Sequence, residues 1–224
     1  MFARAYKIVV AVLFIMPFVV GAAMGDMIHP LQGDPVSDPA WSGTQHFSKS
    51  FSDVQISADV DYAVYPPGQF ALSSSQHLNN PTDPSGGSDY VYAYQIWNSA
   101  VSNVGLNGFS MGFGDLVDNG HDLKAPANIS FLSGFGLDPS SSYFVPSTPP
   151  AQSGRWDFNP TILSGGNSTI LLYTSKNGPE WDRASILGGG LANTQNLPNP
   201  TPEPATWILL ITVAAGGLIL ARRR

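Results

Sequence analysis

The stretch DVQISADVDYAVY, Asp53 to Tyr65, decides the fold. Val54, Ile56, Ala58, Val60, Tyr62 and Val64 take every second position, and Gln55, Ser57, Asp59 and Asp61 fill the places between. Side chains of an extended chain point alternately to opposite sides, so this period predicts a strand with one apolar and one wet face. A helix with about 3.6 residues per turn would scatter the same apolar residues around its whole circumference.

Working outward, YPPGQF at Tyr65 to Phe70 ends the ladder, because proline has no N–H to donate. A polar loop, NNPTDPSGGSD at Asn79 to Asp89, leads to a second strand, YVYAYQIWN at Tyr90 to Asn98. There Tyr90, Tyr92, Tyr94 and Ile96 share one side, and Val91, Ala93 and Trp97 the other. So little polarity contrast predicts a strand covered on both faces, hence a central one. Further strands are expected in NVGLNGFSMGFGD (Asn103 to Asp115), ANISFLSGFG (Ala127 to Gly136), RWDFNPTIL (Arg155 to Leu163) and STILLYTSK (Ser168 to Lys176). The turn residues SGGN join the last two. Six to eight short strands without internal repeat or helical period predict an all-β fold, an antiparallel β-sandwich of jelly-roll or immunoglobulin-like type.

Composition narrows the function classes. The 23 glycines and 19 prolines supply the turns that many short strands need. No cysteine is present, so disulfides, thiolate metal sites and a cysteine nucleophile are excluded. Between Asp26 and Asn199 fifteen acidic residues face five basic ones, a net charge of −10. Such a surface repels phosphates, and nucleic-acid binding is not expected.

Several patterns suggest chemistry. GFSMG at Gly108 to Gly112 fits the G-x-S-x-G nucleophile elbow, but a strand tail and turn follow Ser110 where the elbow needs a helix. Asp59 and Asp61 share a strand face as a glycosidase carboxylate pair might, though on an exposed face they read more simply as solubility residues. Asp115, Asp118 and Asp122 gather with His121 in one loop that could offer oxygens to Ca²⁺, yet their spacing misses the calcium-loop pattern. His29, His46, His77 and His121 lack zinc spacing and read as solvated. Tyr90, Tyr92, Tyr94 and Trp97 could stack on sugar rings if exposed, which keeps a carbohydrate-binding module as the alternative function, ahead of a secreted hydrolase. The sequons Asn128-Ile-Ser130 and Asn167-Ser-Thr169 would matter only in eukaryotic secretion. The expectation is no catalytic residue, no metal, no cofactor and no enzyme.

Both ends carry targeting patterns. Arg4 and Lys7, the apolar run Ile8 to Val20 and the small residues Gly21 to Ala23 form the three parts of a secretory signal peptide. Cleavage by signal peptidase is expected after Ala23 or Gly25, so residues 1–25 are the signal helix and 26–199 the exported domain. At the other end stands NPTPEPATWILLITVAAGGLILARRR. Trp207 to Ala221 is fifteen residues, about 22 Å of helix at about 1.5 Å per residue, against a hydrocarbon core of about 30 Å. Counting Ala205 and Thr206 brings the apolar run to the lower edge of a transmembrane helix. Arg222, Arg223 and Arg224 favour the cytoplasmic side.

Pro202-Glu203-Pro204 followed by the apolar run and the arginines resembles the PEP-CTERM sorting signal of Gram-negative bacteria, here residues 200–224. YVYAYQIWNSAVSNVGLNGFSMGF with the later WDF and GGNSTILLYTSKNGP is similar to a recurring β-domain of such proteins that has no assigned chemistry. The resemblance implies recognition by exosortase, a membrane-embedded protease-transpeptidase. The chain would dwell transiently in the inner membrane and then pass to the cell surface or extracellular matrix, in company with exopolysaccharide and biofilm.

Overall fold

The computed structural model describes residues 29–113, 126–146 and 153–200. The signal helix, the calcium-loop candidates and the sorting segment lie outside them. Ten strands run in chain order: β1 (Ser42–Phe51), β2 (Val54–Tyr65), β3 (Tyr90–Asn98), β4 (Leu106–Gly112), β5 (Ala127–Leu132), β6 (Ser141–Val145), β7 (Ser153–Ile162), β8 (Ile170–Ser175), β9 (Pro179–Gly188) and β10 (Leu191–Pro200). They make two five-stranded sheets, β1-β2-β3-β8-β5 and β10-β9-β4-β7-β6. All named pairings are antiparallel.

The core between the sheets draws Ile56, Val60, Tyr92, Tyr94, Ile96 and Tyr173 from the first sheet. Phe109, Met111, Trp156, Phe158, Ile186 and Leu197 come from the second. The expected apolar face of β2 is therefore its inward face. The outer face of the first sheet carries a second cluster, in which Leu31, Phe70 and Leu78 pack on Tyr65, Val91, Ala93, Ile170 and Leu172. The chain before β1 and the loop after β2 thus add a covering layer to the first sheet. Asp34 fastens that layer: its buried carboxylate accepts from Tyr65 Oη at 3.0 Å and Ser73 Oγ at 2.6 Å. This covering explains why β3 reads apolar on both sides and sits between β2 and β8.

The covering also corrects the sequence reading of β2. Ser57 and Asp61, expected to be wet, are buried, and Asp61 is fully so. The SGGN turn does join β7 and β8, and because these belong to different sheets it carries the chain across the sandwich. A second correction is the strand number, ten among the described residues rather than six to eight. The unforeseen β9–β10 hairpin turns on two residues, Gly189 at φ 55° and Gly190 at φ 77°, with Gly188 paired to Leu191. A two-residue hairpin loop with both φ values positive favours glycine at both places.

Candidate functional site

The structure concentrates unusual chemistry at three places. The first is the Asp61 carboxylate on β2. It accepts from His29 Nδ1 at 2.5 Å, Gln32 Nε2 at 2.8 Å, Thr44 Oγ1 at 2.5 Å and Trp97 Nε1 at 2.8 Å. The His29 ring lies against the Trp97 ring, centroids 4.3 Å apart. Burying a carboxylate without partners is costly, and four donors offset that cost. They come from the segment before β1, from β1 and from β3, so Asp61 hooks the start of the domain onto the first sheet.

The second place is a tyrosine network under the end of β10. Tyr92 and Tyr173 stack with centroids 4.9 Å apart and planes 9° from parallel. The Tyr94 and Tyr173 hydroxyls lie 3.0 Å apart. Tyr94 Oη donates to the Pro198 carbonyl, and Tyr173 Oη donates to Asn199 Oδ1 at 2.9 Å. Burial pushes the phenols of Tyr92, Tyr94 and Tyr173 well above their ordinary value, so all three stay neutral donors. Leu197, Pro198, Asn199 and Pro200 are all buried, so the domain stays anchored up to two residues before Pro202.

The third is an aromatic patch. Trp181, on β9, is 50% exposed; its ring lies 5.5 Å from that of Trp41 and 5.8 Å, edge-on, from that of Tyr62. Gly43 makes room for Tyr62, since a Cβ there would stand 2.9 Å from the tyrosine hydroxyl oxygen. Trp181 pairs with Pro198, two ladder positions from the Pro179–Pro200 pair that closes β10. The patch therefore sits where the chain leaves the sandwich.

No family model, curated protein or solved structure matches this chain.

The residues singled out in the sequence are dispersed by the fold. Ser110 stands mid-strand in β4, paired with Arg155 and Ser185, and not on a strand-to-helix turn. Asp59 and Asp61 do share a face, but they work apart: Asp59 is half-exposed and bonded to His46 Nδ1 at 2.7 Å, while Asp61 lies in its buried hook. Of the histidines read as solvated, His29 and His46 are engaged by aspartates and His77 by the Pro30 carbonyl at 3.2 Å, while His121 lies outside the described residues. Tyr92, Tyr94 and Trp97, candidates for sugar stacking, are buried and present no face to a ligand. The sequon amides are occupied, Asn128 Nδ2 on Thr174 Oγ1 and Asn167 Nδ2 on the Phe135 carbonyl. Ala23, Asp115, Asp118, Asp122, Pro202, Glu203, Pro204, Arg222, Arg223 and Arg224 lie outside the described residues. Among the described residues no group of three or more His, Asp or Glu is placed to hold a metal ion. No helix among them is long and apolar enough to cross a membrane.

Sequence reasoning missed the Trp41–Tyr62–Trp181 patch. Its members are far apart in the chain, and only the pairing of β9 with β10 brings Trp181 to the chain exit. The tyrosine stripe was visible, and its buried network is what that stripe does.

Proposed function

We propose that this chain is an exported, non-enzymatic surface or matrix protein. A signal peptide delivers it, and exosortase sorts and processes it at Pro202-Glu203-Pro204. The observation that carries the proposal is the ordered motif itself: two prolines around a glutamate, an apolar run and Arg222 to Arg224. Proline fixes its own φ and has no N–H to donate to a ladder, properties that suit a segment read in a protease cleft. The fold supports the reading in two ways. The domain is stabilised by an extensive aromatic core without disulfides, as a cysteine-free exported protein requires. Its tyrosine network also holds the last strand at Pro198 and Asn199, shortly before the motif.

Within the sandwich class we read the winding as nearer to a jelly roll than to an immunoglobulin domain. The chain changes sheet between β3 and β4, β4 and β5, β5 and β6, β7 and β8, and β8 and β9. The β3–β4, β7–β8 and β5–β6 pairs then lie side by side, each spanning both sheets.

The test replaces Glu203 and both flanking prolines together in the native host. The expected product is full-length protein retained in the membrane fraction. Processing indistinguishable from that of the unaltered chain contradicts the proposal.

A further inference from the structure

We propose that the Trp41–Tyr62–Trp181 patch is a membrane-contact surface, which seats the domain on the lipid headgroup layer while the chain is held by its C-terminal apolar run. The inference rests on the reading of residues 205–221 as a bilayer span, and it assigns a partner to a surface that this reading leaves unused.

The first support is position. β10 ends at Pro200, and Trp181 stands on the adjacent strand two ladder positions away. At about 3.3 Å per residue along a strand and about 5 Å between strands, the Trp181 backbone is within about 10 Å of the chain exit. Tyr62 joins it from β2 of the other sheet and Trp41 from the turn just before β1, so the patch bridges the two sheets at this end of the sandwich.

The second is reach. Four residues lie between Pro200 and Ala205, where the apolar run begins, so five Cα-to-Cα steps join them. Fully extended they span at most about 17 Å, and the headgroup layer is itself about 5–8 Å deep. β10 cannot lengthen the tether by fraying, because Tyr94 and Tyr173 hold Pro198 and Asn199. The exit end of the domain is therefore confined to the neighbourhood of the lipid surface.

The third is chemistry. An indole and a phenol combine a large apolar face with a polar edge, which is why Trp and Tyr concentrate where hydrocarbon meets headgroups. Charge does not favour a coulombic contact here. Glu180 and Asp182 flank Trp181 in sequence, and the span from Asp26 to Asn199 carries −10 overall. The contact is consequently aromatic, with an interaction that salt leaves largely unchanged.

The test uses the full-length chain reconstituted in phosphatidylcholine vesicles whose acyl chains are brominated close to the headgroup. Trp207→Phe removes the tryptophan of the apolar run, and Trp207→Phe/Trp181→Phe is compared with it. Bromine quenches tryptophan fluorescence only at short range, so loss of Trp181 is expected to lower the quenchable signal about two-fold, equally at low and high salt. Retention in the vesicles through alkaline flotation is measured separately and reports the span alone. A retained chain whose quenching does not depend on Trp181 overturns the membrane contact and leaves the span standing. A chain that is not retained overturns the span and the contact together. Perturbation of Trp181 fluorescence by a soluble polysaccharide, with none by the brominated lipid, assigns the patch to sugar and overturns the lipid contact.

Discussion

The two ends of the domain are fastened by opposite means. At the start, one buried carboxylate, Asp61, gathers four donors from three segments of chain. At the finish, neutral phenols of Tyr94 and Tyr173 hold the carbonyl of Pro198 and the side chain of Asn199. A carboxylate is a hub: it satisfies many donors at once, and its removal strands them all. A phenol network distributes the same task over several weaker bonds, each of which can be lost alone. It also leaves one cost standing, since the buried Asn199 Nδ2 has no hydrogen-bond partner among the described residues.

The comparison is broken most sharply by alkali. The phenols of Tyr65, Tyr92, Tyr94 and Tyr173 are raised in the folded chain, chiefly by burial. A group whose folded value is raised contributes full stability below its unfolded value, about pH 10 for tyrosine, and loses it as pH climbs above. Each such phenol approaches a slope of about 1.4 kcal/mol per pH unit above its unfolded value, so four acting together remove about 4 kcal/mol between pH 10 and 11. Urea denaturation across this range is expected to show a steep fall, halved in Tyr94→Phe/Tyr173→Phe and unchanged in slope in Asp61→Ala. A flat alkaline limb in the unaltered chain contradicts the neutral network.

Next in size is the hub. Asp61→Ala leaves Trp97 Nε1, Thr44 Oγ1, Gln32 Nε2 and His29 Nδ1 without their acceptor, at a cost of about 3 kcal/mol or more. Hydrogen exchange should quicken from residue 29 through β1 while β10 stays protected. The reciprocal experiment is milder. Tyr173→Phe removes the bond to Asn199 Oδ1 and should cost about 1–2 kcal/mol, with faster exchange confined to β10. If either variant loosens both ends alike, the two fastenings are not independent.

The smallest effect belongs to a surface triad on the second sheet. Partial burial pulls the Asp157 carboxyl up, but hydrogen bonds from Arg155 and Tyr143 outweigh it and hold it below the usual carboxylate value. A depressed carboxyl contributes stability above its unfolded value, near pH 4, and loses it as pH falls further. Asp157→Asn is therefore expected to cost less than about 1 kcal/mol at neutral pH and nothing in strong acid, measurable as a small Tm difference that closes below pH 3 to 4.

The strand pattern was legible where local alternation carries the signal. β2 declares itself by Ile56, Ala58, Val60 and Val64, and β3 by apolar residues on both faces. β1 hides because, of its side chains, only Phe47 is buried, so its sequence reads as polar. β10 hides behind Asn and Pro residues, which an edge strand tolerates. The Gly189-Gly190 turn was the overlooked signal for β9 and β10, since adjacent glycines between two strands mark a hairpin. The environment of Asp61 was not legible. Its partners lie 32 and 29 residues before it and 36 after it, and no local rule reports whether a chain folds back over an alternating strand. The aromatic patch needs both sheets assembled before it exists.

The central claim is that the chain is exported and then cut near Pro202-Glu203-Pro204. Mass spectrometry of the intact protein, purified from the surface or medium of its native host, tests it most directly. The account predicts a species that begins after Ala23 or Gly25 and lacks the apolar run from Trp207 to Ala221, with or without an added group at the new end. A mature protein that still carries Trp207 to Arg224 contradicts it.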